Sequence, residues 1–273
     1  MALGNARPLD APTLRARVGL VLEMPIGSSI NPDPLALAIA SRRELTTHWI
    51  GAASTGALPA RRLAAKLLEH AAREALTMAQ QGDQQPRRVL VDGFNRPALE
   101  RLLADREPLV WRHAAVARGL LATLDPRLQG EIEQGLDPGL DPTAWRRAAV
   151  SLVAAAVADP AGGLKHCYGL LDSPITARDP GIVATMVWGA PRLVEAEPDT
   201  AEALLERLAA FGRPDVAEAV AELLADVVNP AFGAAAVDRL RRELGARQQA
   251  DGPVLRALTD QALRQLERAR DRG

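Results

Sequence analysis

The tripeptide His166-Cys167-Tyr168 is the richest stretch of side-chain chemistry in the chain. A thiol beside an imidazole is the pairing of a covalent nucleophile with its base. On a helix, however, adjacent residues diverge by about 100°, so neighbours do not face each other. With Leu164, Tyr168 and Leu171 taken as the inner face, Cys167 falls on its flank as a small apolar residue and His166 points almost oppositely, into solvent. The other histidines are His48, His70 and His113, and none has a second imidazole or thiol at i+3 or i+4. A single cysteine excludes a disulfide framework and a Cys-based zinc site. No catalytic or cofactor-binding residue, metal or cofactor is therefore expected. No phosphate-binding glycine loop, zinc-protease helix motif, nucleophile elbow, C-x-x-C pair or EF-hand loop occurs. The four tryptophans are Trp49, Trp111, Trp145 and Trp188, and Trp111 and Trp145 stand 34 residues apart, as packing residues of a repeat would.

The elements that would position these residues follow from composition and period. The chain has 273 residues, 48% hydrophobic and 25% charged, long enough to bury a sizeable core. Its 33 basic and 34 acidic residues leave a formal charge of -1, which argues against a strongly basic nucleic-acid binder. Residues 1–106 carry 14 basic and 10 acidic residues, and residues 107–273 carry 19 and 24, too mild an asymmetry for a polyanion-binding half. The most apolar stretch, Ala148 to Ala158, is far shorter than the roughly 20 residues a bilayer needs. The start, MALGNARPLDAPT, has no apolar stretch behind a basic lead, so no secretory signal and a cytoplasmic location are expected.

The dominant signal is a repeat. Pro108, Pro142, Pro180 and Pro214 are spaced by 34, 38 and 34 residues, and each opens an Ala-rich apolar stretch. Pro126, Pro160, Pro198 and Pro230 follow them at offsets of 18, 18, 18 and 16. Proline suits the first turn of a helix, where its missing N–H would be unpaired anyway. Asp125, Asp159 and Asn229 precede the second prolines as good N-caps, and Glu197 as a poorer one. Each unit thus predicts a helix, a short turn and a second helix. The apolar residues recur at the 3.6 period: Val110, Ala114, Ala117, Leu121 and Leu124; Trp145, Ala149, Leu152 and Ala156; Leu128, Ile132 and Leu136; Leu204, Leu205 and Leu208. A hairpin with one apolar face on each helix cannot bury itself and must lean on its neighbours.

The segment DREPLVWRHAAVARGLLATLDPRLQGEIEQGL (105–136) resembles a HEAT repeat of the bacterial type. The resemblance rests on the acidic start, Pro108-Leu109-Val110, Arg112, Ala114-Ala115 and Asp125-Pro126. The next unit keeps Asp141-Pro142, Trp145, Arg146 or Arg147, Ala148-Ala149 and Asp159-Pro160, the third keeps Asp179-Pro180, and the fourth keeps Pro214 and Asn229-Pro230. The resemblance covers 105–245 and implies an all-α, right-handed α-solenoid of stacked helical hairpins. It also implies that the second helices line a concave side. The positions there opposite the apolar faces fall at Arg101, Gln134, His166, Glu206 and Arg242, with Asp238 beside the last. They form the candidate protein-binding ridge.

Three regions are expected: an N-terminal helical part with degenerate repeats (1–104), the HEAT-like repeats (105–250) and a C-terminal capping helix (251–273). In the first, helices are expected at 13–24 (where RVGLVLEM also reads as a strand), at 34–50, from Pro59 to near Gly82, and from the Asn95-Arg96-Pro97 turn, where Leu99, Leu102 and Leu103 share a face. The function expected is that of a non-enzymatic scaffold, adaptor or inhibitor binding another protein, with nucleic acid and membrane not expected as partners. The alternatives come from relatives of the resemblance: a HEAT-like DNA-binding protein or alkylation-repair DNA glycosylase, which is similar in using Trp and Asp on a basic concave face, and bilin-lyase-like HEAT proteins. No Asp-Trp constellation can be matched residue by residue.

Overall fold

The computed structural model describes residues 50–83, 96–213, 215–216, 218–220, 223 and 264. Every regular element among them is helical. In chain order they are α1 (Gly51–Ala53), α2 (Leu58–Gln80), α3 (Arg96–Leu103), α4 (Pro108–Ala122), α5 (Pro126–Gln134), α6 (Pro142–Ala155), α7 (Pro160–Leu171), α8 (Pro174–Arg178), α9 (Gly181–Val187), α10 (Pro191–Ala196) and α11 (Pro198–Ala209). The chain divides into two compact units, Met1–Asp125 and Pro126–Gly273.

The prolines do what their spacing predicts. Pro108, Pro126, Pro142, Pro160 and Pro198 each stand as the first residue of a helix. Asp141 caps α6 by accepting from the Thr143 and Ala144 N–H groups, and Asp159 caps α7 by accepting from Gly162. Glu197 makes no side-chain cap, as its longer carboxylate suggests. Pro180 sits one position outside α9, as its N-cap residue. Pro214 and Pro230 lie outside the described residues, though Asp215 and Val216 are helical. The helices expected at 13–24 and 34–50 and most of the C-terminal helix also lie outside them; of that last helix Arg264 is described, helical and exposed.

In the first unit α2 and α3 both pack against α4, and α3 also touches α2. The interface is small-residue and aliphatic: Ala64, Ala65, Leu68, Ala71, Ala72 and Ala75 on α2, with Val110, Ala114, Ala115 and Ala117 on α4, are fully or almost fully buried. Alanine on both faces lets the helices approach closely. Leu99 and Leu102 bury the inner side of α3, while Leu103 is half-buried.

In the second unit α6 is central. It packs against α5, α7, α9 and α10, while α11 packs against α7, α9 and α10. First helices thus lie beside first helices and second helices beside second. The stripe Trp145, Ala149, Leu152 and Ala156 is buried as its period predicts, and so are Leu204, Leu205 and Leu208. Leu124 in the first unit and Leu136 here end their stripes half-buried.

The structure departs from expectation in two places. The inner face of α7 is Gly163, Cys167, Leu170 and Leu171, and Leu164 and Tyr168 are half-buried at its edge. The cause is Gly163. A Cβ there would meet the Cα of Ala156 at 2.5 Å, so the missing side chain lets α7 close onto the end of α6 and turns Cys167 inward. The third unit is also more broken than one helix, turn, helix. Pro174 starts the short α8, tied back by the Thr176 hydroxyl donating to Leu170 O at 2.7 Å. Pro191, lacking an N–H, ends the run of α9 and starts α10. At Gly189, between them, a Cβ would lie 2.5 Å from Val150 O, so only glycine permits α9 to approach α6 this closely.

Candidate functional site

The chemically rich tripeptide is divided by the helix as its geometry predicts. Cys167 is fully buried, and that burial pushes its thiol up to about 12, so no thiolate is available near neutrality. His166 is exposed. Tyr168 donates its hydroxyl to Ala203 O on α11 at 3.2 Å, and burial raises its pKa. The tyrosine therefore joins α7 to α11.

His113 and the tryptophans of the described residues serve packing in the same way. His113 Nδ1 on α4 lies 2.6 Å from Oε2 of the buried Glu69 on α2. His70 is half-buried on α2, and His48 lies outside the described residues. Trp145 is 1% exposed. Its indole N–H donates to Asp137 O at 2.8 Å, and the Arg178 guanidinium stacks 4.8 Å from the ring centroid. Arg178 also donates to Pro138 O at 2.8 Å, so one Trp–Arg stack holds two adjacent carbonyls of the 135–141 turn. Trp111 is buried and Trp188 half-buried, while Trp49 lies outside the described residues. No group of three or more His, Cys, Asp or Glu among the described residues is arranged to hold a metal ion. No helix among them is long and apolar enough to cross a membrane.

Three arginines of the first helices, Arg61, Arg62 and Arg146, are engaged with carboxylates at the start of the next repeat. Arg61 Nε reaches Asp105 Oδ2 at 2.6 Å, and Arg62 Nη2 reaches Glu107 Oε1 at 2.6 Å, tying α2 to the start of α4. Arg146 on α6 makes two bonds of 2.7 Å to Asp179, just before α9. The hydrogen bond from Arg146 holds the Asp179 carboxyl below its ordinary value, and the same bond raises the Arg146 pKa. Burial alone would raise Asp105, but the Arg61 hydrogen bond and the Glu107 N–H bring it below its ordinary value. Capping bonds from Ala144 and Thr143 lower Asp141 likewise. The sequence shows the members of these ties, the acidic Asp105, Glu107 and Asp179 and the arginines of the preceding first helices, but not their pairing.

The ridge residues are placed as follows. Arg101 is exposed on α3, its Nε donating to Ser54 Oγ at 3.1 Å. Gln134 is the exposed last residue of α5, and His166 is exposed on α7. Glu206 is half-buried on α11, the helix that packs beside α7, and its charge acts on Tyr168. Asp238 and Arg242 lie outside the described residues. Within this second-helix pair the surface also carries Asp172, bonded to Arg207 at 2.9 Å, and Phe211, 36% exposed, with the Arg207 guanidinium 5.9 Å from its ring centroid.

No protein-family model matches the chain. No curated protein matches it either. Among solved structures it is similar to the crystal structure of an engineered protein, at 15% identity and a TM-score of 0.24, over 93% of this chain and 98% of that one.

Proposed function

We propose that the chain is a HEAT-like, right-handed α-solenoid that acts as a scaffold, adaptor or inhibitor, without catalysis of its own, by binding another protein along its second helices in the cytoplasm. The observation that carries this reading is the use of the chemistry-bearing side chains. Cys167, Tyr168, Trp145, His113 and the first-helix arginines Arg61, Arg62 and Arg146 are all engaged in holding helices together. What faces solvent on the second helices is varied and polar: Arg101 in the first unit, and Gln134, His166 and the half-exposed Glu206 in the second. Such a surface recognises by shape and a few anchors. The packing of first helix on first helix inside each compact unit, and of second on second in the second unit, supports the solenoid part of the reading.

The test is capture of partners by the tagged chain from its native host, compared with the variant Gln134→Lys/His166→Glu. Both positions are exposed, so the thermal transition should not move. A partner captured by the natural chain and lost by the variant supports the ridge; equal capture by both refutes it. DNA binding that falls steeply with salt would overturn the protein-binding reading in favour of a phosphate-directed one.

A further inference from the structure

We draw no further inference here: the strongest candidate, the surface patch on the packed helices α7 and α11 where Arg207 joins Asp172 to the exposed ring of Phe211 beside Tyr168, carries charges of both signs, and nothing in the structure shows what covers it.

Discussion

Trp145→Ala probes the packing of the second unit at its most loaded point. The ring is 1% exposed and sits on α6, the helix that touches α5, α7, α9 and α10. Removing it takes away a large buried side chain and leaves a cavity that helices fixed on several sides cannot fill, at about 3–5 kcal/mol. The Nε1 bond to Asp137 O and the Arg178 stack lie within that figure, at about 1 kcal/mol and about 0.5–1 kcal/mol. Trp145→Phe, which keeps an aromatic ring but loses the N–H and part of the bulk, should therefore cost only about 1–2 kcal/mol. Arg178→Ala should cost about 0.5–1 kcal/mol, because the guanidinium is exposed although its plane covers the ring. Urea unfolding followed by far-UV circular dichroism reads these values. With a slope of about 2 kcal/mol per molar, Trp145→Ala should move the midpoint down by about 1.5–2.5 M. A midpoint within 0.3 M of the natural chain (~0.6 kcal/mol at that slope) would refute the packing described, since an absent ring would then leave no hole.

Two further substitutions and one titration follow. Gly163→Ala places a methyl against the Ala156 backbone at the α6–α7 junction and should destabilise by about 1–3 kcal/mol, whereas Gly169→Ala, exposed in the same helix with nothing near its Cβ, should stabilise by about 0.5–1 kcal/mol. Opposite signs in one thermal-shift experiment are the expected result, and equal signs would contradict the placement of α7. Asp105 and Asp179 have folded pKa values below the ordinary 3.8, so their contribution is complete above that value and is lost as the pH falls below it through the folded pKa. Acid unfolding should accordingly be shallower in Arg61→Gln/Arg146→Gln than in the natural chain; an unchanged slope would show that the two ties carry no linkage.

The all-α class and most helix starts were legible in the residues because proline in a first turn is a local, chemically forced signal, and Asp141 and Asp159 close their turns by bonds to residues two or three positions away. The division of His166 from Cys167 was legible for the same reason, since neighbouring helical residues must diverge. The register of α7 was not. Leu164, Tyr168 and Leu171 make a plausible stripe, and only the approach of Gly163 to Ala156, a contact between helices, selects Cys167 and Leu170 instead. The break of the third unit into α9 and α10 was signalled by Pro191, which an 18-residue spacing from Pro180 to Pro198 passes over. The Arg61–Asp105 and Arg146–Asp179 ties span 44 and 33 residues, so their members were visible while their pairing was not. The proposed ridge is the least legible part, because an exposed polar residue on a helix looks the same with or without a partner.

Helix-on-helix stacking from one repeat to the next inside the second compact unit is tested most directly by swapping the charges of the Arg146–Asp179 pair and measuring the unfolding free energies of Arg146→Asp, Asp179→Arg and the double variant. Stacking predicts that each single change costs about 1–3 kcal/mol and that the double variant recovers much of the loss, with a coupling of about 1–2 kcal/mol. Losses that simply add would mean that α6 and the start of α9 are not held side by side, and the account of the repeat would fail with them.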